Sequence, residues 1–168
     1  MKKLTVLLLS ILILTGCQGS GDASVKTEKA EKTVYAMDTV MSLTAYGENA
    51  DAGLTKAEQE ILRLENLLSI SRESSDIYRL NRDGETQVSG ETARLVEYAR
   101  SMWVLTGGDF HPMVYPLMQL WGFSSGNYRV PADTEIRALL PLPEPPGPVG
   151  NLLGLPDGSG LDLGGIAK

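Results

Sequence analysis

Cysteine, histidine and basic residues are all scarce in this chain. It has one Cys, one His, and 15 Lys and Arg against 21 Asp and Glu, a net charge of −6. A single cysteine excludes an intramolecular disulfide. The acidic balance, with no basic stripe, excludes the electrostatic footprint of a nucleic-acid-binding protein. A lone histidine is more often a structural hydrogen-bonding group than a catalyst. The long apolar run of a membrane span is also missing. The longest candidate, Leu4 to Leu14, falls short of the roughly 20 residues a bilayer crossing needs. No internal repeat is present.

What remains suffices for a folded core. The 168 residues are 42% hydrophobic and 21% charged, which fits one domain of ordinary size and argues against a disordered tail. The opening segment has a different character. Lys2 and Lys3 precede the apolar run, and Leu14-Thr15-Gly16-Cys17 follows it. A positive start, a short apolar stretch and a small-residue cleavage site make a processing signal. It resembles a bacterial lipoprotein signal, in which Cys17 becomes the lipidated first residue. Removing Lys2 and Lys3 takes the basic count from 15 to 13 against 21 acidic residues, or −8. Gln18 to Lys32 is mostly Gly, Ser, Lys and Glu and reads as a solvated tether. The expected organisation is therefore a signal peptide at 1–16, a tether at 17–32 and a folded part at 33–168. Such a protein works beside a membrane, anchored by lipid outside the cytoplasm.

Within the folded part, Met41, Leu43 and Ala45 alternate with Ser42, Thr44 and Tyr46, a strand period. Asp38-Thr39 interrupts the run over Thr33 to Tyr46, so two short strands or one bent strand are expected. Leu54, Ala57, Ile61, Leu64 and Leu68 step by three and four, while Lys56, Glu60 and Arg63 fall off that stripe. This spacing predicts a helix. Ile77 to Leu80 allows one further helical turn. Ser89 is a good N-cap for a helix carrying Leu95, Ala99 and Met102 on one face, and Gly107-Gly108 stops it. His111 to Phe123 reads as a packed loop with one short helix. Thr134 to Leu140 reads as a third full helix, closed by Pro141. Pro141 to Gly160 has room for one short strand. Leu161 to Lys168 reads as a strand end, a Gly-Gly turn and the first residues of a helix. A helix so short has nothing to stabilise it, which suggests a truncated gene or a partial reading frame.

Three segments could carry chemistry. The Gly164-Gly165 turn, followed by a helix start, would present free N–H groups and a positive dipole end to an anion. In an acidic protein, phosphate binding needs such local compensation. Lys168 could reach a phosphate oxygen, and Asp162 could hydrogen-bond a sugar or base or help hold a metal. Many such turns are only tight turns. Thr106 to Phe123 gathers Asp109, Phe110, His111, Tyr115 and Trp121, which suits an aromatic ring ligand. It equally suits aromatic core under a loop. Ser69 to Asn81 is either the lining of a polar cleft or a solvated loop.

Taken in order, AMDTVMSLTAYG at Ala36 to Gly47, LLSISRESSDIYRLN at Leu67 to Asn81, TGGDFHPMVYPLMQLWGF at Thr106 to Phe123 and LDLGGIAK at Leu161 to Lys168 resemble the ApbE family of FAD:protein FMN transferases. The similarity runs from about Val34 to the last residue. It implies an α+β fold, a mostly antiparallel sheet with helices packed on it, present here only in its N-terminal part. It implies a magnesium-dependent transfer in which FAD is split at its pyrophosphate, FMN is esterified to a Ser or Thr of a target flavoprotein, and AMP leaves. Implied targets are subunits of membrane redox pumps and extracellular flavoproteins. By the same resemblance Met37, Ser71, Asp109, Phe110, His111, Asp162 and Lys168 contact FAD, and the backbone carbonyl of Gly165 coordinates Mg2+. No catalytic side chain is assigned.

Two departures from the family pattern stand out. The tripeptide commonly Ala-Phe-Asp is Asp109-Phe110-His111 here, with an acid first and an imidazole where a carboxylate is usual. The family's remaining metal ligands, an Asp and a Thr or second Asp, would lie downstream of Lys168. Little or no transferase activity is therefore expected of this chain alone. The alternatives are a flavin-binding or FAD-hydrolysing lipoprotein without transfer, and a non-functional fragment.

Overall fold

The computed structural model describes residues 28–167. The signal segment with Cys17, most of the tether and Lys168 lie outside the described residues.

Strands β1 (Lys29–Ala36) and β2 (Thr39–Tyr46) form an antiparallel hairpin with Lys29 opposite Tyr46 and Ala36 opposite Thr39. The break expected at Asp38-Thr39 is the hairpin turn. Met37 and Asp38 both have φ of 52°, the two-residue geometry whose twist matches the flanking strands. Period-two alternation turns Val34, Ala36, Met41, Leu43 and Ala45 to one face. That face packs on helix α1 (Ala50–Leu68), and Lys32 ion-pairs with Glu58 of the helix. Lys29 to Lys32, read above as the end of the tether, belong to β1 instead. Their charged residues had hidden a ladder that β2 completes, and Gly47 N–H closes it by donating to Glu28 O at 2.8 Å.

Helix α1 carries the predicted stripe, with Leu54 buried and Lys56, Glu60 and Arg63 exposed. After it comes α2 (Asp76–Asp83), two full turns where the sequence allowed one. The Ser75 hydroxyl caps it, accepting from Tyr78 N–H at 2.9 Å. Asp76, buried at the first helical position, ties α2 to the next helix. Its carboxylate accepts from Ser89 N–H at 2.8 Å, from the Thr92 hydroxyl at 2.7 Å and from the Arg79 guanidinium at 2.6 Å.

Gly84 (φ 76°) ends α2 and turns the chain into β3 (Glu85–Gln87), which pairs antiparallel with β4 (Leu152–Gly154). Helix α3 (Gly90–Leu105) starts on Ser89, whose hydroxyl accepts from Thr92 N–H at 3.1 Å, as the sequence predicted. The short α4 (Tyr115–Leu120) also matches expectation. The third full helix does not form at the expected length. Helix α5 covers only Asp133–Ala138, because Leu139 and Leu140 close tight i→i+3 bonds to Ile136 and Arg137 ahead of Pro141.

The core lies where α2, α3, β4 and the last described residues meet. It comprises Ile77, Leu80, Val88, Ala93, Val96, Ala99, Met113, Leu153, Leu161 and Leu163. Antiparallel strands with packed helices bear out the α+β expectation, with the strands divided between two separate two-stranded ladders. Among the described residues no helix is long and apolar enough to cross a membrane.

Candidate functional site

Leu161 to Ala167 forms a bend held from three sides. The side chain of Asn81 takes both backbone groups of Leu161: Nδ2 donates to its carbonyl at 2.8 Å, and its N–H donates to Oδ1 at 2.7 Å. Asp162 N–H donates to the carbonyl of Pro112 at 2.8 Å. Ile166 and Ala167 N–H both return to Leu163 O, at 2.9 and 2.8 Å. The Gly-Gly turn and the opening of a helical turn therefore match expectation. The strand end at Leu161 to Leu163 does not form. A side chain from α2 and a loop carbonyl occupy the backbone groups that a neighbouring strand would need.

Aromatic rings press on this bend. A Cβ added at Gly165 would lie 3.3 Å from Cε2 of Phe110, and one at Gly160 only 2.4 Å from Cδ1 of Tyr115. Glycine at both positions lets the backbone come close to the two aromatic side chains. Phe110 is half-buried against the core and oriented by its own N–H, which donates to the Thr106 hydroxyl at 3.0 Å. Asp162 Oδ1 accepts from Gly164 N–H at 2.8 Å, so one carboxylate oxygen is engaged in the turn. Burial, followed by the charges of Tyr78 and Asp162, raises the pKa of Tyr115. Its hydroxyl stays protonated and accepts from Gln119 at 3.0 Å.

Of the Asp109-Phe110-His111 tripeptide, only Phe110 touches the bend. Asp109 is exposed. His111 turns to its own loop, where Nδ1 accepts from Met113 N–H at 3.3 Å and the ring meets Trp103 edge-on at 5.9 Å. Burial lowers its pKa. A neutral imidazole accepting at Nδ1 carries its proton on Nε2.

Met37 and Ser71 belong to a second cluster. Met37 N–H donates to Glu65 Oε1 at 3.0 Å, and Arg72, beside Ser71, donates to Glu65 Oε2 at 2.8 Å. Ser71 itself is exposed, its hydroxyl 3.1 Å from that of Ser69. A groove of about 400 Å³ runs between α1 and α3, with Leu64, Leu67 and Leu68 on one wall, Glu91, Arg94, Leu95 and Tyr98 on the other, and Ile166 and Ala167 at the bend. A second groove, about 680 Å³, borders the tripeptide at Gly108 and His111 and is lined further by Arg137 and Leu140 to Leu142. Lys168 lies outside the described residues, as does Cys17.

For magnesium these residues offer little. Gly165 is exposed and its carbonyl is a possible donor, but no group of three or more His, Cys, Asp or Glu that could hold a metal gathers among the described residues. They do not by themselves form a magnesium site.

Sequence reasoning missed Glu65, and it placed Asn81 only in a segment that was either cleft lining or solvated loop. Glu65 sits off the apolar stripe of α1 and gave no signal. The Asn81 partner is 80 residues away.

Short antiparallel ladders, packed helices and an aromatic-backed polar bend define an α+β protein with the architecture of the flavin transferases. The chain belongs to the ApbE family, whose model matches residues 37–168. Residues 1–18 match a prokaryotic membrane lipoprotein lipid attachment site. Among solved structures, the ApbE protein of Thermotoga maritima superposes with a TM-score of 0.75 at 26% identity, over 83% of this chain and 48% of that one. The flavin transferase ApbE from Vibrio cholerae gives 0.72 at 26% identity, over 84% and 50%. The apo form of the Pseudomonas stutzeri flavinyl transferase ApbE gives 0.72 at 24% identity, over 84% and 48%, and supports the fold alone. The chain thus spans about half the length of these solved relatives. No curated protein matches it.

Proposed function

We propose that this chain is the nucleotide-contacting part of a lipid-anchored, extracytoplasmic FAD:protein FMN transferase. Cys17 carries the anchor, and the polar segment after it links the anchor to the folded part, which begins at β1. In the reaction a Ser or Thr hydroxyl of the target flavoprotein attacks the flavin-side phosphorus of FAD. A new P–O ester bond forms, the bridging P–O bond of the pyrophosphate breaks, and AMP leaves with the electron pair while the hydroxyl proton passes to solvent. Such chemistry asks mainly for positioning and charge stabilisation.

One observation carries this reading: the Phe110 ring packed on Gly165 beside Asp162, in a chain of the ApbE family. The ring supplies an apolar wall for a flavin or adenine, and the bend supplies polar backbone. Asp162 keeps one carboxylate oxygen for a sugar hydroxyl. Met37, Ser71 and Lys168 are further contacts of the same nucleotide, with His111 contacting it from the groove it lines beside Gly108. Magnesium, when bound, would neutralise the pyrophosphate and polarise the phosphorus. In this chain the carbonyl of Gly165 is its one proposed ligand.

A second reading, in which the chain binds FAD without transferring it, rests on the same bend and ring. Incubating the full chain with FAD, Mg2+ and a Ser/Thr target peptide distinguishes the two by mass spectrometry. A peptide adduct is the result the transferase reading predicts, and bound FAD with no adduct supports the second reading. Release of FMN and AMP without adduct would identify hydrolysis. A chain that does not retain FAD at all would contradict both readings.

A further inference from the structure

Asn81 makes two hydrogen bonds that neither its helix nor its neighbours require. It stands on α2 and reaches across 80 residues to take both the N–H and the C=O of Leu161, at 2.7 and 2.8 Å. Leu161 is fully buried, so its backbone groups cannot turn to water instead. An asparagine amide presents a separate N–H donor and C=O acceptor, matching a peptide group as another strand would. The clamp therefore replaces a strand at the residue immediately before Asp162.

The consequence reaches the ligand side of the bend. With Leu161 fixed, the Asp162 N–H finds Pro112 O, the Asp162 carboxylate caps Gly164 N–H, and Gly165 meets Phe110. Pro112 follows the Asp109-Phe110-His111 tripeptide directly, so one set of contacts sets the distance between the bend and the ring wall. We infer that Asn81 is a positioning residue for the nucleotide site, setting the spacing between the Asp162 to Gly165 bend and the Phe110 wall without touching the nucleotide. This inference rests on the nucleotide reading proposed above.

The test compares FAD binding and local amide exchange in the full-length chain and two variants. Asn81→Leu removes both bonds at similar volume. Asn81→Asp retains the acceptor for Leu161 N–H while setting a carboxylate oxygen against the Leu161 carbonyl, which keeps the test available if the leucine variant fails to fold. Binding is read by quenching of flavin fluorescence, global stability by urea melting, and the bend by hydrogen exchange of residues 161–165. The expected result is FAD affinity lowered about tenfold or more in folded Asn81→Leu and by less in Asn81→Asp, with exchange accelerated at 161–165 and unchanged in α3. Variants that bind FAD like the parent, or that lose protection evenly along the chain, overturn the inference and leave the nucleotide reading standing. A parent chain that does not quench flavin fluorescence overturns the nucleotide reading and, with it, this role for Asn81.

Discussion

The backbone N–H of Met37, at the tip of the β1–β2 hairpin, donates to Glu65 Oε1 near the end of α1 at 3.0 Å. Met37 has φ of 52°, a region that costs a long side chain about 1 kcal/mol or more, so an external partner for its N–H helps to hold the turn. Glu65 also accepts from Arg72, and so joins the hairpin tip to the loop of Ser71. Replacing Glu65 with Ala should cost about 1–2 kcal/mol of stability, because a part-buried N–H loses its partner. Urea melts give the magnitude, and faster amide exchange at Met37 gives the cause.

Asp76 makes stability depend on acid. Burial opposes its ionisation, but the bonds from Ser89 N–H, the Thr92 hydroxyl and Arg79 outweigh it and hold the pKa below the ordinary carboxylate value. A depressed folded-state pKa contributes stability that is fully present above the unfolded value of about 4 and is lost as pH falls through the folded one. Stability of the parent should therefore decline below about pH 4, and Asp76→Asn should flatten that decline while lowering stability near neutrality. Asp76→Ala should cost about 2 kcal/mol at pH 7 by leaving Ser89 N–H and the Thr92 hydroxyl unpaired. Chemical denaturation across pH 3–7 measures both effects.

His111 acts in a higher pH window. Burial lowers its pKa, so the folded state resists the proton that the unfolded state accepts at about 6.5. Stability should fall as pH drops from that value through the folded-state pKa, because protonation also turns Nδ1 from an acceptor for Met113 N–H into a donor. Melting temperature against pH from 8 to 5 should show the fall, and His111→Gln should remove it.

Gly165 separates ligand effects from folding effects. A methyl group there meets Phe110 Cε2 at 3.3 Å, so the half-buried ring has to give by a few tenths of an ångström. Gly165→Ala should cost no more than about 1 kcal/mol of stability yet weaken FAD binding about tenfold by moving the ring wall. Melting and flavin-fluorescence titration of the same sample test the separation.

Local patterns carried most of the fold. The three-and-four spacing of α1 and the Ser89 cap of α3 each express one period or one hydrogen bond within a few residues, and both are as the sequence indicated. Elements fixed by distant partners were not legible. Helix α2 ends on the polar residues Asn81 to Asp83, and its second turn is held by Leu80 in the core and by the Asn81 bonds to Leu161. Strand β1 begins among Lys and Glu because β2 offers a full register. Leu161 to Leu163 looks like a strand until Asn81, 80 residues earlier, takes its backbone groups. At the candidate site, Phe110 and Gly165 each stand in a motif the sequence offers, but their contact comes from the fold. The outward exposure of Asp109 and the inward turn of His111 depend on packing that residue types do not encode.

The most direct measurement is an FAD titration of the isotopically labelled full-length chain followed by NMR amide shifts. The account predicts perturbations concentrated at Phe110 and at Asp162 to Ala167, with weaker ones at Met37 and Ser71. Saturable FAD binding that leaves Phe110 and Gly165 unmoved, or no binding at all, would contradict it.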